Sequence, residues 1–580
     1  MKTHLAIASG IALTLGVLCS ACDDEAPPRR SIAGNPDATE ARDADSPDTQ
    51  VPERVASWLS THPSCIGDGA PLFRDATVSN GAWHFQARTP SGELYDQMVG
   101  GGVAMADLDQ DGDLDLYIGV AQGSNAVLLN DGAGRFSRPE VSDVLGAADD
   151  WTNGVSAVDF DNDGDQDLFL SNRGSDRLLE NRGDLEFVDV TTQTNINSRG
   201  NSATATWADF NGDGWLDLVV AKLADAAEGD MVDRSRPPLY LSDGEGRFER
   251  LDNTVFPRGS TFILPAVDLD DDGDIDLLHT QEFSHIQRAT VIENLGPSQD
   301  APVSWRVHTL EGFEAAAPAT MGAALLDIDH NDLPDIYTTN LWGEAYRGEV
   351  LARNLGGLTF ENVAESADAQ PMTDAFDVES VTRAVSWAAL AADFRNAGHL
   401  DLFVGYGQLV EVLGSRDHVS YPPLFDKQPD ALLLRTAPDR FELAAGSCAE
   451  SVGATRGAAV GDVNADGCLD LVTVPRVGSA RLLLNRCEQV GHFLRVRLAG
   501  TGSNRDAVGS RVWVTAGGEV QRRWVTVGST SVFSSSPRTL HFGLGNHETV
   551  DTVRVMWPDG DELTVSDVEV DQTLVLTQPR

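Results

Sequence analysis

The sequence predicts an all-β protein, a seven-bladed β-propeller followed by a small C-terminal all-β domain. One pattern occurs seven times: small and apolar residues, an aspartate cluster, an apolar run of strand character, and an aliphatic strand that ends in a Gly-containing turn. The clusters follow one another at about 50 to 70 residues, a spacing that fits one four-stranded blade per unit. No unit keeps a period of 3.6 residues, which excludes helical repeats. The last segment alternates apolar and polar residues between Gly turns, which indicates a compact β domain.

Each unit supplies its strands in the same order. Short β-branched or aromatic runs, such as 114–120 and 470–474, follow the aspartate cluster. A hairpin comes next, as in 127–136, where an Asp-Gly step provides the positive φ of a tight turn. Residues 72–77 resemble an outer strand without inner strands of its own, whereas the seventh unit ends near Asn485. We therefore expect the N-terminal strand to complete the last blade.

Composition narrows the classes of partner. The 580-residue chain has 42 Lys and Arg against 90 Asp and Glu, a formal net charge of -48. Such a charge repels phosphate backbones and anionic lipid, which argues against nucleic-acid binding and polybasic membrane docking. Much of the acidic excess lies in short clusters at regular positions, so bound cations are the natural counterpart.

The N-terminal segment predicts export. Residues 1–21 have the form of a signal peptide, with Lys2 near the start, an apolar stretch, and small residues before Cys22. This end resembles a bacterial lipobox, which implies lipidation of Cys22; the alternative is an ordinary secretory signal that leaves Cys22 free. Residues 22–61, rich in Pro, Ala, Asp and Arg, are predicted to be a disordered linker. No later apolar run approaches the ~20 residues of a spanning helix, so we expect membrane contact only through a lipid anchor. The predicted location is the bacterial outer membrane or cell surface, otherwise the medium.

The aspartate clusters have the spacing of a calcium loop. The first has acidic side chains at positions 1, 3, 5 and 9 and Gly112 at position 6. Ca²⁺ binds six to eight oxygens, and a tight turn can direct alternate carboxylates inward while a backbone carbonyl near position 7 adds another, whereas Mg²⁺ retains more water. Asp and Gly also form turns without any metal, so one such loop alone is weak evidence. Near-matches in phase with a strand repeat favour about five or six bound Ca²⁺ ions.

The predicted metal ligands include the position-7 residue of each loop for its carbonyl. They are Asp107, Asp109, Asp111, Asp113 and Asp115 in loop 1; Asp159, Asp161, Asp163, Asp165 and Asp167 in loop 2; Asp209, Asn211, Asp213, Trp215 and Asp217 in loop 3; Asp268, Asp270, Asp272, Asp274 and Asp276 in loop 4; Asp327, Asp329, Asn331, Leu333 and Asp335 in loop 5; and Asp462, Asn464, Asp466, Cys468 and Asp470 in loop 7.

Three kinds of loop depart from this scheme. Loops 3 and 7 have an amide at position 3 and should bind more weakly. Loop 5 has Asp332 where the others have glycine, and Asp tolerates the left-handed conformation better than most residues. Loop 6, residues 393–401, has lost two ligands and contains Arg395. We expect loop 6 to be empty, with Arg395 in place of the metal's charge.

Four cysteines are available for disulfides in an exported chain, because Cys19 lies in the predicted signal and Cys22 is the predicted lipidation site. Cys65, Cys448, Cys468 and Cys487 allow three connectivities, and two disulfides are expected; the alternative is that they are small buried hydrophobes. Cys65 precedes the N-terminal strand and Cys487 follows the last aliphatic strand. Our hypothesis is therefore a Cys65–Cys487 bridge across the seam of the ring, which leaves Cys448 with Cys468.

Two families resemble parts of this sequence. In the aspartate loops, the Ala-Asp steps before them and the Leu-Asp-Leu strands after them, residues 62–488 resemble the FG-GAP or VCBS repeats of integrin α-subunit propellers. That resemblance implies structural calcium sites on one side of the ring and ligand contacts on the other. In segments 492–498, 503–512, 540–545 and 555–560, residues 489–580 resemble the ASPIC/UnbV domain found in bacterial proteins and the cartilage acidic protein 1 family. That family implies no reaction, and residues 528–534 depart from its usual glycine-rich stretch.

Together these observations favour an exported calcium-binding surface protein that acts as a binding or adhesion module for a protein or polysaccharide. Two alternatives stay open: a metal-assisted hydrolase, and an envelope assembly scaffold without a soluble ligand. The sequence has no HExxH, GxSxG or Walker A motif, and the loop aspartates are already used as metal ligands. We therefore expect no enzyme and no catalytic residues.

Overall fold

The structure is a computed structural model. It describes residues 72–77, 84–85, 100–121, 123–148, 150–223, 236–251, 255–280, 289–299, 301–309, 320–340, 348–371, 385–407, 428–451, 453–476, 478–487, 491–502, 504–528 and 530–579. The predicted signal, the linker, Cys22 and Cys65 lie outside these ranges. Among the described residues no helix is long and apolar enough to span a bilayer.

Seven four-stranded antiparallel blades form a β-propeller; five are separate sheets, and blades 2 and 3 are joined by strand pairing into one eight-stranded sheet. Short strands β1 (Phe73–Asp75) and β2 (His84–Phe85) precede them. Blades 1 to 3 contain β3 (Val103–Ala106), β4 (Asp115–Ile118), β5 (Ala126–Asn130) and β6 (Phe136–Ser137); β7 (Thr152–Val158), β8 (Asp167–Ser175), β9 (Arg177–Asn181) and β10 (Phe187–Asp189); and β11 (Arg199–Ala208), β12 (Asp217–Leu223), β13 (Leu239–Ser242) and β14 (Phe248–Leu251). A single helical turn, α1 (Asp143–Gly146), separates blades 1 and 2.

The remaining blades follow the same order. Blades 4 to 6 contain β15 (Ala266–Val267), β16 (Asp276–His279), β17 (Thr290–Asn294) and β18 (Trp305–Thr309); β19 (Thr320–Leu326), β20 (Asp335–Asn340), β21 (Val350–Asn354) and β22 (Phe360–Asn362); and β23 (Ser386–Ala392), β24 (Asp401–Tyr406), β25 (Ala431–Ala437) and β26 (Arg440–Leu443). Blade 7 contains β27 (Thr455–Gly461), β28 (Asp470–Pro475) and β30 (Arg481–Asn485), while β29 (Gly478–Ser479) pairs with β2.

The ring closes as predicted. β1 pairs with β30, Phe73 opposite Asn485, and so supplies the outer strand of blade 7. Phe73 is fully buried and packs edge-on against Phe394 of blade 6, with ring centroids 5.3 Å apart. The N-terminal strand therefore holds the last blade and its neighbour through both hydrogen bonds and apolar contact.

Small residues on the inner strands let adjacent blades approach each other. A Cβ on Gly154 would come within 2.1 Å of the Ala203 carbonyl oxygen, and one on Gly322 within 2.2 Å of the Trp387 carbonyl oxygen. Farther out, larger side chains fill the space between blades; Leu116 and Leu128 of blade 1, for example, share a core with Leu482 of blade 7. This burial of apolar surface between sheets is the main force that stabilises the ring.

The C-terminal domain is a two-sheet sandwich around its own core. One sheet has the order β34 (Leu540–Gly545), β31 (His492–Ala499), β37 (Gln572–Thr577), and the other β33 (Glu519–Trp524), β32 (Arg511–Ala516), β35 (Thr549–Met556), β36 (Glu562–Glu569). Leu494 and Phe542 of the first sheet pack with Val512 and Val553 of the second. The alternation of apolar and polar residues predicted this compact β domain.

The connection between β33 and β34 enters the centre of the propeller. The described residues 525–528 and 530–537, named the plug segment, form backbone hydrogen bonds with inner strands of several blades. The bonded pairs are Ser535 with Val103 and Met105, Phe533 with Val155, Val527 with Trp207, and Ser531 with Ala323. Val532 and Phe533 have no exposed surface. The stretch in which the sequence departs from the family pattern thus fills the central channel.

The predicted disulfide pairing is wrong. Cys468 is bonded to Cys487, with Cα atoms 5.7 Å apart, and Cys448 forms a disulfide whose partner lies outside the described residues. The reason is local: β28, which follows Cys468, pairs with β30, which precedes Cys487, so the two cysteines lie at the same end of adjacent strands. The positions of Cys65 and Cys487 next to the seam strands predicted a bridge between them, but the pairing of β28 with β30 brings Cys468 to Cys487 instead.

Candidate metal centres and the domain that covers them

The seven aspartate loops connect the first and second strands of the blades and share one hydrogen-bond scheme. The aspartate at position 9 begins the second strand and has no exposed surface in any blade. One of its oxygens accepts a hydrogen bond from the backbone N–H at the end of the third strand in all seven blades, and in six the other accepts from the N–H at position 2. The position-9 side chain therefore holds the loop to the blade, a role that the sequence analysis assigned only to metal binding.

Position 1 fixes the turn itself. In loop 1, Asp107 Oδ2 accepts from the N–H of Gly112 at 3.1 Å, and the equivalent bond in loop 3 joins Asp209 and Gly214 at 2.7 Å. The position-6 residue has positive φ in every loop, 97° at Gly112 and 68° at Asp332. Asp332 thus adopts the left-handed conformation predicted for it, and loop 5 keeps the shared path without glycine.

Four loops bring three carboxylates together. In loops 1, 2, 4 and 5 the aspartates of positions 1, 3 and 9 place oxygens within 4.8 Å of one another. Each of these loops also has one buried carboxylate oxygen without a hydrogen-bond partner, on Asp107, Asp159, Asp270 and Asp327. A buried oxygen with negative charge and no donor is unfavourable, so these four clusters could bind metal ions and fit a divalent cation.

Burial raises the pKa of the clustered carboxyls. It brings the pKa of Asp115 and Asp335 to about 7 and that of Asp276 to about 8, from an ordinary value of 3.8. In Asp159, burial and then the neighbouring Asp506 raise the pKa to about 7. Without a cation, the folded loops therefore still hold protons near neutral pH, where the aspartates of an unfolded chain have already lost theirs.

Loops 3 and 7 have fewer carboxylates. Asn211 and Asn464, at position 3, each donate to the aspartate at position 5 at 2.8 Å. In loop 7 the predicted position-7 residue, Cys468, forms the disulfide with Cys487 and contributes no thiolate. These two loops supply side-chain oxygens from Asp and Asn only, and their weaker binding stays a prediction.

Loop 6 replaces a cation with an arginine. Arg395 Nη2 lies 2.7 Å from Asp401 Oδ1 and donates to the Arg435 carbonyl at 2.8 Å. Asp393 is fully buried, and its two oxygens accept from the N–H groups of Ala397 and Gly398. The ion pair confirms the prediction that Arg395 supplies the positive charge in this loop.

A repeated asparagine, not singled out from the sequence, links five of the seven loops to the next blade. In five blades the third strand ends in Asn, whose side-chain amide donates to the position-2 carbonyl of a loop in the preceding blade. These residues are Asn130, Asn181, Asn294, Asn354 and Asn485. Arg435 makes the same contact from blade 6. The signal was present as an Asn after each aliphatic third strand, but its meaning depends on contact between blades.

The C-terminal sandwich covers the loop face of the propeller. Arg511 pairs with Asp268 and Asp271 of loop 4, and Arg495 Nη1 lies 2.7 Å from Asp462 Oδ2 of loop 7. The Arg505 N–H donates to Asn162 of loop 2, and Trp513 Nε1 donates to Asp332 of loop 5. Positive side chains of one domain thus meet the acidic loops of the other.

Loop 6 also contacts the sandwich, through both side-chain and backbone hydrogen bonds. His541 Nε2 is 2.6 Å from Asn396 Oδ1, and the Gly545 N–H donates to the Asn396 carbonyl at 2.7 Å. A Cβ on Gly543 would lie 2.1 Å from Asp393 Oδ2, so glycine is required there. The loop that has lost two of its acidic ligands thus also packs directly on the sandwich.

Comparison with known proteins agrees with this two-part organisation. A model of the FG-GAP-like repeat matches residues 107–170 and 159–220, and a model of the ASPIC and UnbV domain matches residues 500–580. The chain contains FG-GAP-like repeats and an ASPIC/UnbV domain. Over 519 residues it is 24% identical to cartilage acidic protein 1 of Xenopus tropicalis, which covers 82% of this chain and 73% of that protein. The human protein is also 24% identical over 519 residues, with 83% and 72% covered.

Solved structures show a more distant likeness. The BP39L lectin from Burkholderia pseudomallei has a TM-score of 0.41 and 10% identity, with 67% of this chain and 96% of the lectin covered. A protein of Agrocybe aegerita that recognises non-reducing terminal N-acetylglucosamine has a TM-score of 0.37 and 17% identity, with 60% and 81% covered. Likeness at this level indicates nothing about a ligand. The strand pairing of the FG-GAP-like blades is what establishes the propeller.

Substitutions in loop 4 can separate the structural role of the loop aspartates, which is to hold the loop to the blade, from their predicted role in calcium binding. Asp276→Ala removes an acceptor from two buried N–H groups and should lower the free energy of unfolding by about 3 kcal/mol, with calcium or with chelator. Asp272→Ala, on the exposed rim of the same loop, should have little effect in chelator and should reduce only the stabilisation by calcium. Urea unfolding under both conditions measures this. Equal effects of the two variants in chelator would contradict a structural role for position 9.

The raised pKa values predict how the metal-free protein responds to pH. Because the folded pKa of Asp115, Asp159 and Asp335 is about 7, against 3.8 ordinarily, the folded state binds more protons than the unfolded state between these values. Stability without metal should therefore fall as pH rises from 5 to 8. Calorimetry after removal of calcium should show a falling melting temperature, whereas saturating calcium should reduce or reverse the trend. A metal-free melting temperature that rises with pH would contradict this prediction.

Proposed function

We propose that this protein is an exported, calcium-binding propeller that acts as a binding or adhesion module for a protein or polysaccharide ligand. The observation that carries the proposal is the position of the ASPIC/UnbV domain. It covers the loop face, and the plug segment fills the channel. We place the ligand site on the opposite face of the ring, since a rigid propeller can present one there.

Calcium is the cation that best suits the four carboxylate clusters. Their ligands are hard oxygens in number and spacing suited to Ca²⁺, and no thiolate or imidazole takes part. The aspartates of positions 1, 3, 5 and 9 would hold the ion, which would offset the repulsion among buried carboxylates. In loops 4 and 7, Arg511 and Arg495 already contact the position-1 aspartate. We therefore expect weaker calcium binding in these two loops than in loops 1 and 2.

The arrangement favours binding over catalysis. A hydrolytic metal needs an open coordination position and access for substrate. Here loops 2, 4, 5, 6 and 7 are in contact with the ASPIC/UnbV domain. Their aspartates also hold the turn through hydrogen bonds, so calcium in these loops is assigned a structural role. A hydrolase and a scaffold without ligand remain the two alternatives that the experiment below must distinguish.

Export is supported by the signal-like residues 1–21 and by the Cys468–Cys487 disulfide, since such bonds persist in oxidising compartments. Lipidation of Cys22 would place the protein on the bacterial outer membrane or cell surface, with residues 22–61 as the tether. With an ordinary signal, the same folded part would be secreted. Membrane attachment is therefore proposed only for the lipidated form.

Binding can be tested with the chain that lacks residues 1–21 and carries Cys22→Ser. In calcium, it should be retained saturably on some members of a panel of polysaccharides and matrix proteins without releasing product. Prior removal of calcium should abolish retention, and restored calcium should recover it. Asp272→Ala serves as a variant with reduced calcium affinity and an intact fold. Release of product that follows a saturable rate would favour the hydrolase, and no retention on any member would favour the scaffold.

A further inference from the structure

A cavity of about 350 Å³ lies between the loop face of the propeller and the ASPIC/UnbV domain, beside the plug segment. Its propeller wall comes from blades 6, 7 and 1, and its other wall from β31, β33 and the approach to β34. A volume of this size is at the lower end of the range found for small-molecule sites. The cavity is distinct from the carboxylate clusters of loops 1, 2, 4 and 5.

Four arginines of the ASPIC/UnbV domain line this cavity: Arg495, Arg497, Arg523 and Arg538. Two are paired with carboxylates, Arg495 with Asp462 at 2.7 Å and Arg538 with Asp506 at 3.0 Å. Neither Arg497 nor Arg523 forms an ion pair within the described part of the chain. Arg523 donates only to neutral oxygens, the Arg522 carbonyl at 2.8 Å and Gln521 Oε1 at 3.2 Å.

Three carboxylates line the cavity, Asp113, Asp393 and Asp462, and the last two are bonded to their own loops. Both oxygens of Asp393 accept backbone N–H groups of loop 6, and the side chain has no exposed surface. Those of Asp462 accept from Asp466 and Gly467, and one also contacts Arg495. Asp393 attracts Arg523 electrostatically without forming an ion pair with it. Arg497 and Arg523 therefore have no direct carboxylate partner among the described residues, whereas Arg495 and Arg538 do.

Neutral donors complete the wall. Hydroxyl groups of Thr530, Ser535, Ser536 and Thr573 line the same space. Guanidinium groups together with hydroxyls are the donors that bind carboxylate, sulfate and phosphate oxygens, because the planar guanidinium can donate two parallel hydrogen bonds to one such group.

We propose that this cavity binds a small oxyanion, through Arg497 and Arg523 with support from the surrounding hydroxyls. Burial lowers the pKa of Arg523 to about 10, against the opposing attraction of Asp393 and Asp327. An anion between Arg497 on β31 and Arg523 on β33 would contact both sheets of the domain and the propeller wall. It would therefore link the two domains through a bound ligand, separately from the ligand proposed for the opposite face.

Isothermal titration of the calcium-loaded chain with sodium sulfate at fixed ionic strength tests this proposal. Heat is preferable to melting temperature, because sulfate stabilises proteins without a specific site. We expect saturable binding of one sulfate with a dissociation constant of about 1 mM or lower. Arg523→Gln and Arg497→Gln should each weaken binding at least about tenfold. Glucuronate, with glucose as its neutral control, determines whether a sugar acid binds more tightly than an inorganic anion.

Arg440→Gln is the matched control. Arg440 lies on the outer strand of blade 6, is exposed, and pairs with Asp368. Its substitution should leave sulfate binding unchanged. If Arg523→Gln fails to fold, the exposed Arg497 carries the test alone. Absence of saturable heat in the unsubstituted chain would overturn the proposal. So would sulfate affinity that is the same in Arg497→Gln and in the unsubstituted chain.

Discussion

A carboxylate with no exposed surface begins the second strand of every blade, and most of the structure is arranged around it. Each position-9 aspartate accepts a hydrogen bond from the N–H at the end of the third strand, and in six blades a second from within its own loop. Burying a charge without compensation is strongly unfavourable. The sequence meets this constraint in two ways, with clustered oxygens suited to a cation, and in loop 6 with Arg395.

The same constraint explains how the blades and domains join. Asparagines at the end of the third strand connect the fixed loops to the next blade, so the hydrogen-bond network runs between blades as well as within them. The resulting face is strongly acidic, and the ASPIC/UnbV domain meets it with arginines. The plug segment then contacts inner strands across the ring. Loop geometry, ring closure and domain docking are thus parts of one electrostatic arrangement.

The features that the sequence predicts well are those repeated along the chain. The blades, the loops and the closing strand β1 follow from a pattern seen seven times, and the left-handed Asp332 follows from comparison with the glycine of its neighbours. The cysteine pairing and the plug segment were not found, because each depends on contacts that occur only once. The role of the repeated Asn could have been suspected from its constant place, but its partner lies in another blade.

The account depends most directly on calcium in the loops. Elemental analysis of the folded chain from residue 62 onward, purified in a fixed concentration of calcium, would count the bound ions, and melting with and without chelator would show whether they support the fold. The account predicts about five or six calcium ions per chain and a large decrease in melting temperature on chelation. One ion or none, with a melting temperature that chelator does not change, would mean that the aspartates form turns only.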